Sequence, residues 1–143
     1  YHTNFLNIII LNNISIYDFV PYKDISKYYL RSKIGLGIFQ PIPTHKIILQ
    51  IKIFEYMAFG ITIIGSDFGH IKEYIQKDNV GFTTNCFDSQ KTGDLIVRTL
   101  REKELFKIFN QNGINAVRNH YNWKIMENKL ESLYKSLSKC LEK

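Results

Sequence analysis

Residues 61–67, ITIIGSD, constrain the fold of this 143-residue chain more than any other stretch. The run is β-branched and apolar without alternation, so as a strand it must be buried on both faces. A strand of that kind belongs to a parallel sheet covered by helices, and its flanks agree. Upstream, residues 46–59 (KIILQIKIFEYMAF) read as an amphipathic helix, with Ile47, Ile51, Phe54 and Ala58 as one apolar face. Gly60 stands where a helix-ending glycine belongs. Downstream, residues 69–79 read as a short helix and 80–84 (VGFTT) as a further strand.

The rest of the chain continues the alternation. Residues 12–20 (NNISIYDFV) look like a strand ended by Pro21. Residues 22–32 have helical spacing, with Tyr28 and Tyr29 expected in the core and Asp24 suited to the helix start. Residues 33–39 (KIGLGIF) form a short apolar run, expected as a strand. Two prolines make residues 40–45 (QPIPTH) a loop. From Ser89 to the end the pattern is helical. Residues 5–11 (FLNIIIL) fit either an edge strand or the end of a helix. Strands and helices of this length imply βαβ units, hence an α/β, Rossmann-like parallel sheet flanked by helices. The expected organisation is one domain over 1–143, with a helical segment from about 89 to 143. The chain opens without an initiator Met, in mid-pattern, and is read as lacking an N-terminal portion.

Several classes are excluded. Hydrophobic residues make up 45% and charged residues 22%, which argues against disorder. The net charge of +6 favours anionic partners, but the lysines are spread along the chain, which speaks against a nucleic-acid arm. Cys86 and Cys140 match no metal spacing and no disulfide framework, so a reducing, cytoplasmic setting fits. Residues 1–20 do not read as a secretory leader, and no stretch reads as long and apolar enough to span a bilayer. Neither a G-x-G-x-x-G fingerprint nor a phosphate-binding P-loop occurs, and no Asp-x-Asp pair asks for a metal.

Open parallel sheets bind ligands beyond the carboxyl ends of their strands. That rule selects Phe19–Tyr22, the loop from Phe39 to Lys46, and residues 66–70 (SDFGH). The second loop carries Thr44, His45 and Lys46 into a helix N-terminus, where backbone N–H groups attract phosphate. Gly69 permits close backbone approach in the third. Ser66 and Asp67 are suited to capping the helix that follows, and His70 to starting it. Glu73 has the bland reading of answering that helix's dipole. Glu55 has two readings: an ion pair with Lys52 at i, i+3, or a ligand for something polar.

The run QIKIFEYMAFGITIIGSDFGHIKEYI, followed by NVGF, resembles the C-terminal domain of glycosyltransferases built from two Rossmann-like domains (the GT-B architecture). The likeness is strongest to the retaining family that uses nucleotide-diphosphate sugars. Its members carry K-[IL]-F-E-[YA]-M-A-x-G-x-P-V-I-[AG]-S-D-x-G-x-x-E. Residues 14–40 and the closing YNWKIMENKLESLYKSL resemble two further blocks of that family, in the same order. The resemblance implies that Glu55 accepts hydrogen bonds from the two ribose hydroxyls of a nucleoside-diphosphate sugar. Phe19 and Val20 would line the nucleobase, Thr44, His45 and the helix N-terminus after them would face the diphosphate and sugar, and Lys52 is a further substrate-binding candidate. Ser66, Gly69 and Glu73 are further candidates. No cofactor is implied beyond this donor, and no catalytic residue is assigned.

Other implied partners are a carbohydrate or lipid-linked acceptor and an N-terminal Rossmann-like domain. The basic C-terminal helix leaves contact with the inner face of an anionic membrane open. The implied role is polysaccharide or glycoconjugate synthesis in a bacterium. There are departures. Ile47 stands eight positions before Glu55, where the family often has an acid for the sugar. Thr62 replaces the usual proline, and Lys33 a usual Asp. Two alternatives remain: a nucleotide-sugar 2-epimerase of the same architecture, and a non-catalytic, truncated binding domain.

Overall fold

The computed structural model of the chain describes residues 13–141. The run 5–11, with its two readings, lies outside them. Among the described residues the order is α1 (Tyr22–Tyr29), β1 (Ile34–Gly37), α2 (Pro43–Ile47), α3 (Ile51–Ala58), β2 (Thr62–Ser66), α4 (Gly69–Asp78), β3 (Gly81–Thr84), α5 (Ser89–Arg101), α6 (Lys103–Asn119) and α7 (Trp123–Leu141). The three strands form one parallel sheet in the order β1-β2-β3. The α/β class and the Rossmann-like parallel sheet are therefore as expected.

β2 is the heart of the sheet and is buried at every position from Thr62 to Ser66. It packs within a cluster of Ile53, Met57, Ile63, Ile71, Ile75, Val80 and Ala116, drawn from α3, α4, α6, β2 itself and the residue just before β3. Beyond it, Phe82 of β3 meets Phe109 of α6 edge-on, with ring centres 5.2 Å apart. Burying a side chain such as Ile53 or Met57 contributes about 1.5–3 kcal/mol each. α3 lies so close to α6 that a Cβ on Gly113 would come within 3.1 Å of Met57 Cα. β1 ends the sheet on its side among the described residues, with Leu36 exposed.

Four local expectations fail. Residues 13–20 form no strand, and Ile16 and Phe19 are 79% and 87% exposed. Pairing, not composition, makes a strand, and no strand lies beside them in the described sheet. Residues 40–45 are not all loop, because Pro43 opens α2, where a missing N–H and a preset φ cost nothing. The single helix expected over 46–59 is two helices, α2 and α3, with Ile48 and Gln50 in extended backbone between them. The buried face of α3 is Ile53 and Met57, whereas Ile51 and Ile47 are 74% and 73% exposed. Spacing alone fits either face, and the sheet and α6 select the one that meets them.

Candidate functional site

The carboxyl ends of β1 and β2 are tied together by one serine. Ser66 Oγ accepts from the Phe39 N–H (2.7 Å) and donates to the Phe39 carbonyl (3.1 Å). Ser66 is fully buried, so its hydroxyl serves the join between the two loops. Phe39 gathers the next two candidates. The His45 ring meets it edge-on at 5.4 Å, and Lys52 Nζ lies 5.4 Å from its ring centre. His45 Nδ1 is 2.9 Å from the Gln40 carbonyl. A carbonyl only accepts, so Nδ1 donates in this contact and Nε2 is left free of it. Thr44 is exposed on α2.

The third loop closes onto the second through Gly69. Its φ is +60°, and a Cβ there would stand 2.5 Å from the Lys46 carbonyl oxygen. Only glycine fits both demands. The cap of α4 is Phe68 with no side-chain bond, so Ser66 and Asp67 do not cap it. Glu73 pairs with His70 at 2.9 Å, and both line a hollow of about 270 Å³ with Tyr74 and Lys77.

Glu55 stands one turn along α3 from Lys52, yet the two form no ion pair, since Lys52 turns to Phe39. Instead Glu55 Oε2 accepts a 2.9 Å hydrogen bond from the Tyr29 hydroxyl of α1. The Tyr29 ring is held edge-on by Tyr56 (5.5 Å) and Phe59 (5.3 Å). Burial, then the bond to Glu55, pushes the Tyr29 phenol well above its usual value, so it stays a donor. Burial, then the Glu55 charge, also raises Tyr56. Tyr28, by contrast, is 37% exposed and packs on Tyr17 rather than in the core.

A hollow of about 250 Å³ opens beside this pair, its lining including Tyr22, Lys23, Ser26, Tyr29, Glu55 and Phe59. Small-molecule sites run to roughly 300–1,000 Å³, so this one suits part of a ligand, of nucleoside size. Here a carboxylate, a hydroxyl, a cation and an exposed aromatic ring share one wall. Phe19 and Val20 lie just before α1 and do not line it. Tyr22 falls within the Phe19–Tyr22 turn selected from sequence, whereas the lining residues Lys23, Ser26 and Tyr29 were not singled out there. The one available signal was helical spacing, which puts 22, 26 and 29 on one side of α1.

Among the described residues, no group of three or more His, Cys, Asp or Glu could hold a metal ion. Among them, too, no helix is long and apolar enough to cross a membrane.

These features define a Rossmann-like α/β domain with its loops gathered at the carboxyl rim of a parallel sheet. The sucrose-phosphate synthase of Thermosynechococcus elongatus contains a similar fold, with a TM-score of 0.75 and 18% sequence identity over 90% of this chain. The match spans 31% of the synthase, so the chain corresponds to about a third of that protein's length. No family model matches the chain, and no curated protein matches it.

Proposed function

We propose that this chain is the donor-binding part of a glycosyltransferase and that it binds a nucleoside-diphosphate sugar. The observation that carries the reading is Glu55. Its carboxylate is not spent on Lys52 and lines a nucleoside-sized hollow. Two carboxylate oxygens match the two hydroxyls of a ribose. Tyr22, 77% exposed on the same wall, offers a ring for a base. Lys52 and His45, gathered around Phe39 at the rim, would face the diphosphate one turn away. Charge building on that leaving group would be met by Lys52 and by backbone N–H groups. The fold it shares with a synthase that makes a sugar phosphate supports the same class. In this reading the acceptor is a carbohydrate or lipid-linked hydroxyl, bound by other parts of the enzyme.

Calorimetric titration of the 143-residue chain with UDP and with GDP tests it. Binding of one of them, weakened by Glu55→Ala, is expected. Absence of binding to both, or equal affinity in Glu55→Ala, would sink the reading.

A further inference from the structure

We propose that Tyr29 is a positioning residue for the nucleotide site, holding the Glu55 carboxylate in the orientation that receives the ribose hydroxyls. The inference rests on the donor-binding reading above and adds to it a residue on a different helix. Glu55 sits on α3, where its partly buried side chain has several free torsions and, unpartnered, would sample more than one rotamer. The Tyr29 hydroxyl removes that freedom by donating to Oε2 at 2.9 Å. An oxygen of a carboxylate has two lone-pair sites. Oε2 can thus keep Tyr29 and accept one ribose hydroxyl, while Oε1 accepts the other.

Tyr29 is itself well fixed. Tyr56 and Phe59, which flank Glu55 on and just after α3, hold its ring from two sides. The arrangement is therefore a closed unit: α3 presents the carboxylate, α3's own aromatic residues pin the α1 tyrosine, and the tyrosine aims the carboxylate. Ordering the ligand residue before binding removes an entropy cost that the nucleotide would otherwise meet. The phenol remains protonated across the working pH range, because burial and then the bond to Glu55 hold its proton on.

The test uses the full 143-residue chain, UDP and GDP, and their 2′-deoxy counterparts. Tyr29→Phe keeps the ring and deletes the hydroxyl. It is expected to weaken the ribonucleotide by roughly 10-fold, the scale of one hydrogen bond to a charged group. The 2′-deoxy ligand should lose much less, and the melting temperature should shift little. In a Glu55→Gln background, Tyr29→Phe should cost clearly less than in the parent. Should Tyr29→Phe melt early, Glu55→Gln still reads out the same ribose selectivity with the tyrosine ring intact. Tyr121→Phe removes a comparable hydroxyl on the far side of α3 and should leave affinity unchanged. If the parent binds neither nucleotide, the donor-binding reading falls and this proposal with it. If the parent binds and Tyr29→Phe binds as tightly, only the positioning role falls. Equal loss for ribose and deoxyribose ligands also overturns it, because that pattern reports packing alone.

Discussion

α3 is flanked by two tyrosine–carboxylate pairs that look alike and differ in what surrounds them. On one side Tyr29 donates to Glu55 at 2.9 Å within a group of Tyr56 and Phe59. On the other, Tyr121 donates to Asp78 at 2.7 Å within a group of Phe54 and Tyr74. The second pair is closed over by Lys77, whose Nζ reaches the Tyr121 hydroxyl at 3.3 Å and lies 5.6 Å from its ring centre. It joins the end of α4 to the turn after α6. Among the described residues no such cation lies on the first pair, which borders the hollow that includes Lys23 and Ser26. The same chemical unit is thus covered by a cation at one place and borders an open hollow at the other.

The sharpest way to break this comparison is to remove each carboxylate. Glu55→Ala should weaken nucleotide binding by about 100-fold, the scale of two hydrogen bonds to a charged group, with stability little changed. Asp78→Ala should leave affinity alone and lower unfolding stability by about 2 kcal/mol, read by urea denaturation. Similar affinity losses in both would erase the distinction.

A second comparison is made with alkali. Burial and the bond to a carboxylate raise both phenols, Tyr29 and Tyr121, above their usual 10.0. The unfolded chain releases these protons first, so the contribution is complete below pH 10 and drains away as pH climbs past it. Melting temperature should fall above that pH, and Tyr121→Phe and Tyr29→Phe should each flatten the slope. A profile unchanged in both variants would show that neither bond matters to folding. The smallest effect belongs to Lys77→Ala. An exposed cation of this kind should alter stability by no more than about 0.5 kcal/mol and affinity not at all.

The parts of the fold that were legible in sequence are those with one physical solution. Residues 61–66 can only be a strand buried on both faces, and the glycines at 60 and 69 bound it. What stayed illegible depends on partners distant in sequence. Ile47 to Leu49 are apolar enough for helix or strand, and the extended break there goes with the seating of the Lys46 carbonyl on Gly69. Ile53 and Met57 share their helical spacing with Ile51 and Glu55, and only the sheet and α6 decide which pair goes inside. Glu55 was visible as a candidate, but its partner Tyr29 lies 26 positions away on another helix. No local pattern could join them.

The edge strand β1 bears on how this chain behaves in a tube. Its outer backbone groups have no partner in the described sheet, and Leu36, Val97 and Leu100, 45–50% exposed, are further apolar surface on β1 and α5. Lys33 borders this surface together with Ile34 and Leu36. Among the described residues, Lys33 at the start of this edge is a weak guard against pairing with another chain. If a second chain pairs there, turbidity should rise with concentration more than with temperature, and Leu36→Lys should lower it.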